Sequence, residues 1–363
     1  MNQSNIDRLP TFEAFLNKSM KRKTLGLLLA FVLVIGGLFF AWRPLKAIYF
    51  SGVPSTLENT IVLIPTGATF DQVVDSLAQG GFLTDVESFR WLAEKMKYKR
   101  NTMRTGRYEI EPGWTNRRLI QHLRAGKQSP VNVVVNNERL PEEIAGRVAR
   151  FLETDSLTLL QMFLDPGVLA EIGYTPETLI ALFIPNTYEM FWNTDAKAFL
   201  LRMAKENKAF WDKNGRRSKA EAMGMTPEQV YTLASIVERE TNTTSEKPTI
   251  AGVYLNRLKI NMLLQADPTC VFATRDFAVR RVTQFHTAFD SPYNTYLYKG
   301  LPPGPISMAS ISSIDAVLNP KQHDYLYFCA KPDESGTHAF AATYAAHLVN
   351  ARRFQTWVQQ RGF

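Results

Sequence analysis

The sequence predicts an α+β protein with a single N-terminal membrane-spanning helix. Three features carry this prediction. An uncharged apolar stretch near the N-terminus is long enough to cross a bilayer, short strand and helix patterns alternate after it, and helical patterns broken by polar, aromatic loops fill the remainder. At 363 residues the chain exceeds the usual size of one domain, so two folded modules are expected after the apolar stretch.

The composition is that of a globular protein, with 45% apolar, 21% charged and 12% aromatic residues. The net charge of +8 is spread along the chain without the Lys/Arg block of a nucleic-acid-binding arm, so nucleic acid is not expected as a partner. Cys270 and Cys329 lie too far apart for a zinc knuckle or a redox CxxC motif. They are interpreted as small core residues, with a single disulfide as the alternative in an oxidising compartment.

The apolar stretch runs from Thr24 to Trp42, nineteen residues without a charge. At 1.5 Å per residue this length matches a hydrocarbon core of about 30 Å. Basic residues are more numerous before it than after it, which predicts a cytoplasmic tail at 1–23. A cleaved signal peptide is the competing interpretation, but the run is longer than a typical signal core and no small-x-small cleavage site follows.

After a linker at 43–58, a compact α+β module is expected at 59–136. Apolar residues at helical spacing predict its helices, and alternation predicts its strands. In chain order the predicted elements are a strand at 60–64, helices at 70–78 and 86–96, a strand within 105–113, a helix capped by Thr115, and a strand at 131–135.

From Leu140 onward helical patterning dominates, which predicts a second module at 137–363. The stretch 184–194, "IPNTYEMFWNT", is rich in Asn, Thr and aromatic residues and is interpreted as a loop. A helix at 199–210 follows it.

Common catalytic signatures are missing from the chain. There is no HExxH, GxSxG, P-loop or dinucleotide GxGxxG pattern. The histidines lack metal-ligand spacing, so neither a metal nor a cofactor is expected; they are His122, His286, His323, His338 and His347.

The stretch 233–241, "LASIVERET", ends an amphipathic helix with two glutamates. A capping box with proline at the first helical position, 226–229, starts this helix. On the helical wheel Glu238 lies near one edge of the apolar stripe and Glu240 near the other. Partial burial at such a position raises the pKa of a carboxyl group, as a general acid requires, and the wheel does not choose between the two.

Three downstream stretches, 263–269, 291–307 and 336–340, are interpreted as loops dense in amides, hydroxyls and aromatic rings. Sugars bind to this mixture of flat apolar faces and fixed hydrogen-bonding groups. Each loop by itself is also compatible with a purely structural role.

Together these motifs resemble the endolytic murein transglycosylases, or YceG-like proteins. The resemblance rests on six motifs in family order: "LASIVERET" (233–241), "VYLNRL" (253–258), "LQADPT" (264–269), "YNTY" (293–296), "GLPPGPI" (300–306) and "HAF" (338–340). It implies a LysM-like α+β subdomain at 59–136 and a mixed α+β catalytic domain at 137–363. It also implies a single-pass protein of the bacterial inner membrane, anchored by 24–42, with its catalytic region in the periplasm.

The resemblance implies cleavage of the β-1,4 bond between N-acetylmuramic acid and N-acetylglucosamine within peptidoglycan strands, leaving 1,6-anhydro ends. By motif position Glu238 is the catalytic acid, and Glu240 is a supporting carboxylate. The implied partners are glycan strands and neighbours in the peptidoglycan synthesis machinery.

The same resemblance names candidates for holding the saccharide: Gln265, Asp267, Thr269, Tyr293, Asn294, Thr295, Tyr296 and His338. Departures from the family pattern lie in the stretch 184–194 and next to "DPT". Asn186 stands where many relatives carry an acid, Glu189 adds a carboxylate that could take a supporting role, and Cys270 is not expected.

Two alternatives stay open. A lysozyme-like hydrolase would use a second acid, such as Asp267 or Glu189, to position water. A non-enzymatic anchor would bind glycan through the first module and recruit other proteins.

Overall fold

The computed structural model describes residues 27–37, 42 and 45–361. The chain divides between Ser129 and Pro130 into two compact units, each with its own apolar core.

Between residues 61 and 125, the first unit contains a two-stranded antiparallel sheet and three helices. Strand β1 (Ile61–Ile64) pairs with β2 (Gly106–Glu109), with Ile61 opposite Glu109. The helices are α1 (Phe70–Gln79), α2 (Val86–Lys95) and α3 (Asn116–Ala125). The observed ends of α1 and α2 differ from the predicted ends by one residue, and α3 starts directly after its predicted cap. Short-range apolar spacing is therefore sufficient to predict these helices.

Helix starts in the first unit follow their capping residues. Thr69 accepts a hydrogen bond from the Gln72 amide, and the Gln72 side chain accepts one from the Thr69 amide, which completes a capping box. Thr115 accepts from the Arg118 amide, so the cap predicted for α3 is confirmed. Val73, Val74 and Leu77 of α1 are fully buried.

The predicted membrane span lies only partly within the described residues. Residues 27–37 are helical, whereas 24–26 and 38–41, like the tail at 1–23, fall outside the described part of the chain. Within the part that is described, no helix is both long and apolar enough to cross a bilayer.

The second unit is mainly helical, with two antiparallel strand pairs. Its helices are α4 (Pro141–Val148), α5 (Ser156–Phe163), α6 (Pro166–Ile172), α7 (Ala196–Asp212), α8 (Arg216–Ala222), α9 (Pro227–Glu240), α10 (Lys247–Lys259), α11 (Asp267–Thr274), α12 (Gln284–Thr287), α13 (Ile311–Leu318) and α14 (Tyr344–Gln360). The strands are β3 (Val131–Val135), β4 (Asn186–Met190), β5 (Tyr327–Ala330) and β6 (His338–Ala341), paired β3–β4 and β5–β6. These elements surround one large core.

The interpretation of 184–194 as a loop is wrong for its central part, which forms β4. Tyr188 and Met190 are buried, while Thr187 and Glu189 point outward, so the stretch has the alternation of a half-buried strand. The sequence pattern predicts its partner β3 as part of the first module. In the structure β3 pairs with β4, because Val133 and Val135 bury their side chains in the core of the second unit.

Two further stretches that read as loops contain regular structure. Asp267 opens helix α11, and His338 opens strand β6, whose partner is β5. Pro268 at the second helical position favours the start of α11, a signal that is also found in turns.

Helix α9 lies at the centre of the second unit. It packs against α10 and α13, and all its residues from Val230 to Val237 are buried. The hydroxyl of Tyr231 donates to the Phe183 carbonyl at 2.7 Å and accepts from the Ala309 amide at 3.1 Å. This buried tyrosine links α9 to two distant chain segments.

We expect Tyr231→Phe to destabilise the protein by about 1–3 kcal/mol, because the substitution leaves the Phe183 carbonyl and the Ala309 amide without a partner. Thermal unfolding of the full chain followed by circular dichroism measures the effect. Tyr344→Phe is the control, since Tyr344 is exposed, and should change stability by less than about 0.5 kcal/mol. Equal melting temperatures for the two variants would contradict the assigned role.

Candidate active site

The end of α9 carries both candidate acids into a polar cluster. The helix begins at the predicted capping box, where Thr226 and Gln229 exchange hydrogen bonds, and ends at Glu240 because Thr241 is extended. A turn of six residues, 241–246, then leads into α10. This turn brings the first residue of α10, Lys247, back to Glu238.

Glu238 is held through one of its two oxygens. Its Oε2 accepts hydrogen bonds from Lys247 Nζ at 2.9 Å, Ser313 Oγ at 2.5 Å, Ser310 Oγ at 2.5 Å and the Ser310 amide at 3.2 Å. Its Oε1 accepts none from any residue that the structure describes. The carboxylate is therefore fixed on one side and free on the other.

The pKa of Glu238 lies below its ordinary value. Burial raises this pKa, but the hydrogen bonds from Ser310, Ser313 and Lys247, with the Lys247 charge, together outweigh burial. The expectation that partial burial alone raises the pKa is therefore wrong for Glu238. Its ionised form is the stable one in the free protein.

Glu240 behaves in the opposite way. Burial raises its pKa to about 7, and the nearby charge of Asp267 adds to this effect. The Tyr254 hydroxyl, which donates to Glu240 Oε1 at 2.5 Å, and the charge of Arg257 only partly offset the increase. Glu240 is thus protonated in a large fraction of molecules at neutral pH.

Asp267 and Tyr296 form a contact beside Glu240. The Tyr296 hydroxyl donates to Asp267 Oδ1 at 2.5 Å, and burial together with this hydrogen bond raises the pKa of Tyr296. Gln265 is exposed and adopts a left-handed backbone conformation with φ of 48°. Its amide donates to the Thr295 carbonyl, which joins the 264–269 stretch to the 293–296 stretch.

Three candidate binding residues are buried and use their polar atoms internally. The Asn294 amide donates to the carbonyls of His286, Thr287 and Phe289. The Thr269 and Thr295 hydroxyls lie 2.8 Å apart. All three side chains have at most 1% of their surface exposed, so they shape the loops instead of presenting groups to a ligand.

Tyr293 and His338 occupy two different places. The Tyr293 ring packs on Phe272, with ring centroids 4.8 Å apart. His338 Nδ1 lies 3.0 Å from Glu246 Oε2, and its amide donates to Glu246 Oε1 at 2.8 Å. Because Glu246 precedes Lys247, this pair ties β6 to the residue that holds Glu238.

Glu189 is not part of this cluster. It is exposed on β4 opposite Asn132, and no hydrogen bond or ion pair connects it to Glu238 in the described chain. Asn186 is exposed at the start of the same strand. Glu189 points outward because it alternates along β4 with the buried residues Tyr188 and Met190, an alternation that separates it from the Glu238 cluster.

Two clefts lie at opposite ends of α9. The one at its C-terminal end has a volume of about 520 Å³ and is lined by Glu240, Asp267 and residues from 139, 239, 268–282 and 306. The other, about 1110 Å³, is lined by residues near the N-terminal end of α9, the second half of α10 and the stretches 301–303 and 320–323. The smaller cleft lies beside the end of α9 and the stretch that carries Asp267; Glu240 and Arg239 line it, and Glu238 is not among its lining residues.

Several residues around the glutamates were not identified from the sequence. They are Lys247, Tyr254, Ser310 and Ser313. Ser313 is 75 residues from Glu238, and Lys247 reads as an ordinary surface lysine at a helix start. No local pattern marks any of them, because only the packing of α9, α10 and α13 brings them together.

The cysteines are both free thiols. Cys270 is buried, and burial raises its pKa to about 11, so its thiol stays protonated. Cys329 is partly exposed on β5. Within the described residues, no group of three His, Cys, Asp or Glu side chains could hold a metal ion.

Comparison with known proteins points to one family. Residues 62–353 match the YceG-like family. The endolytic murein transglycosylase of Bacillus subtilis is 27% identical over 333 residues, covering 87% of this chain and 89% of that protein. The protein of the same name from Streptococcus pneumoniae is 27% identical over 305 residues, 75% of this chain but only 54% of its own length.

A solved structure agrees with these matches. The crystal structure of a yceG-like protein from Listeria monocytogenes is similar with a TM-score of 0.55 and 26% sequence identity, covering 80% of this chain and 97% of that one. The similarity therefore extends to the fold.

The opposite pKa shifts of the two glutamates predict opposite effects on stability. A raised pKa stabilises the fold below the ordinary value of 4.5, and this contribution is lost as the pH rises through about 7. The free energy of unfolding of Glu240→Gln, relative to that of the wild type, should therefore increase by about 2 kcal/mol between about pH 5 and about pH 8.

Glu238→Gln is the matched control, because a lowered pKa stabilises the fold above the ordinary value and the contribution is lost at acidic pH. This variant should be less stable than the wild type at neutral pH and should approach it as the solution is acidified. Urea unfolding across the pH range measures both. Parallel pH profiles for the two variants would contradict the assignment.

Proposed function

Because the chain belongs to the YceG-like family, we propose that it is an endolytic murein transglycosylase. The enzyme cleaves the β-1,4 bond between N-acetylmuramic acid and N-acetylglucosamine inside peptidoglycan strands and leaves 1,6-anhydro-muramic ends. By shortening strands internally it helps to set their length. The observation that carries the residue-level proposal is the one-sided hydrogen bonding of Glu238.

Glu238 is the catalytic acid and base. Protonated Glu238 Oε1 donates its proton to the glycosidic oxygen as the bond from that oxygen to C1 of the muramic residue breaks. The muramic C6 hydroxyl then bonds to C1, and its proton returns to the Glu238 carboxylate. One side chain serves both steps, and no water is consumed.

The hydrogen-bond donors to Glu238 Oε2 favour the state between the two proton transfers. Lys247, Ser310 and Ser313 stabilise the carboxylate that exists after the first proton transfer and before the second. They also lower the fraction of Glu238 that is protonated in the free enzyme. Activity is therefore expected to increase as the pH falls from neutral toward the pKa of Glu238.

Glu240 has a supporting role. Its partly protonated carboxyl group holds the Tyr254 hydroxyl and faces the cleft together with Asp267. Its pKa of about 7 suits a general acid, which makes Glu240 the competing candidate for the acid. The smaller cleft between these residues is proposed to receive the glycan.

The saccharide-binding candidates divide into two groups by exposure. Gln265 and Asp267 are exposed, and Tyr296 is partly exposed, so these three are proposed to contact the sugar. The buried residues support the loops that carry them. The proposed supporting group comprises Thr269, Asn294 and Thr295, with Tyr293 and His338 as partly exposed neighbours and Glu189 as a peripheral carboxylate.

The proposed location of the protein is the bacterial inner membrane, with its catalytic region in the periplasm. Residues 24–42 anchor the protein in the bacterial inner membrane, and apolar side chains such as Leu27, Phe31 and Leu33 are exposed as lipid contact would require. The LysM-like subdomain, predicted at 59–136, is proposed to end before β3, and the catalytic domain, predicted at 137–363, is proposed to include β3, because β3 pairs with β4. After the linker at 43–58, both are proposed to occupy the periplasm. Neighbours in the peptidoglycan synthesis machinery are the proposed protein partners.

Mass spectrometry of glycan fragments tests the reaction. Purified peptidoglycan incubated with wild-type protein should yield anhydro-muramic ends, and Glu238→Gln should reduce their rate of formation at least about 100-fold, because the proton donor is lost. Glu240→Gln is the matched variant two residues away and should retain most of the activity. The reverse result would assign the acid to Glu240.

The same experiment separates the alternatives. Uptake of labelled oxygen from water into a reducing end would identify a hydrolase. Glycan binding without any product, by wild-type protein that is folded, would identify a non-enzymatic anchor.

The pH profile tests the role of Lys247. Lys247→Met removes the ammonium group from Glu238, so the pKa of Glu238 should increase and the alkaline limb of kcat/KM should move to higher pH. Lys259→Met, an exposed change on the same helix, should leave the profile in place. If the alkaline limb of kcat/KM does not move in folded Lys247→Met protein, the ionisation of Glu238 does not control that limb.

A further inference from the structure

Four arginines line the smaller cleft at the C-terminal end of α9. They are Arg139, Arg239, Arg280 and Arg281. Within the described part of the chain, none of the four forms an ion pair. The only acidic residues that line the cleft are Glu240 and Asp267. The cleft thus carries an excess of positive charge.

The four guanidinium groups are arranged at two depths. Arg139 stacks over the Phe277 ring at 4.8 Å, and Arg239 buries its Nε without a hydrogen-bond partner among the described residues. Arg280 and Arg281 are exposed at the rim. Burial lowers the pKa of Arg239, and the charge of Arg139 lowers it further, so the two inner cations repel one another. The negative charges of Glu238, Glu143 and Glu138 offset this only in part.

This arrangement favours an anionic ligand. A buried donor without a partner and several cations in one cleft are unfavourable until an anion binds. Guanidinium groups match the planar geometry of a carboxylate, to which they can donate two parallel hydrogen bonds. Apolar walls from Phe272, Phe277 and Val279 would accommodate the carbon atoms that carry such a group.

The cleft is also close to the proposed catalytic acid. Arg239 directly follows Glu238 on α9, and the charge of Glu238 acts on the Arg239 guanidinium. In the proposed reaction the muramic residue lies at Glu238, and this sugar carries the peptide stem of peptidoglycan. In this arrangement the stem starts beside Glu238, the residue that precedes Arg239 on α9.

We propose that the arginine cleft binds a carboxylate of the peptide stem attached to the muramic residue that is cleaved. This inference rests on the proposed function and adds a specificity determinant to it. The enzyme then prefers strands whose stems keep their free carboxylates, because a neutral stem leaves the cations unpaired.

Paired substrates test the proposal. One is peptidoglycan with native stems, and the other is the same material with its stem carboxylates converted to amides. The wild type should show about a tenfold higher kcat/KM on native stems, mainly through KM, as expected for one charge-assisted contact. Formation of anhydro ends is the measured product.

Charge reversal at the rim should remove this preference. The double variant Arg280→Glu and Arg281→Glu should reduce the preference for native stems to about twofold or less, by weakening cleavage of native stems alone. The matched control reverses two exposed arginines of α14, Arg352→Glu and Arg353→Glu, and should keep the full preference. Equal losses of the rim variant on both substrates would overturn the proposal.

A binding measurement makes the result independent of cleavage. Calorimetry of Glu238→Gln protein with soluble stem-bearing oligosaccharides should show affinity that falls with salt and with amidation of the stems. Equal affinity for native and amidated stems would overturn the subsite even if anhydro ends form. Absence of anhydro ends with both substrates would overturn the proposed reaction, and the binding comparison would still decide the subsite.

Discussion

The contact between Lys247 and Glu238 is the interaction on which the site depends. Lys247 is almost fully buried, with 4% of its surface exposed, and such a cation is tolerated only with an ionised partner and further hydrogen bonds. Glu238 supplies the charge, while Ser310 and Ser312 each accept a hydrogen bond from Lys247 Nζ. This network fixes the end of α9 against the starts of α10 and α13, so the position of the carboxylate follows from the packing of three helices.

Two glutamates on one helix are adapted to different protonation states. Glu238 faces an ammonium and hydroxyl donors, which favour the carboxylate, whereas Glu240 faces Tyr254 and the negative charge of Asp267, which leave burial dominant. A spacing of two residues turns the side chains to different sides of the helix, so the two environments do not mix. Such separation allows one helix to hold one carboxyl group ionised and another largely protonated at the same pH.

The surroundings of the glutamates are joined by contacts between segments that are distant in sequence. Arg257 donates to the carbonyls of Leu264 and Leu326, which links α10 both to the stretch that carries Asp267 and to the approach to β5. The Glu246–His338 pair connects the same region to β6. At the smaller cleft, by contrast, Arg280 and Arg281 are exposed.

Local sequence determined the helices of the first unit, the positions of β1 and β2, and the start of α9. The capping box at Thr226 and the apolar spacing of Val73 and Leu77 involve residues only a few positions apart, so the sequence alone identifies them. The motif around Glu238 likewise marked the family. Tertiary structure alone decided the pairing of β4 with β3 and the direction of the Glu238 pKa shift. The shift depends on donors up to 75 residues away in the chain, and a pKa responds to distance in space, which sequence spacing does not encode.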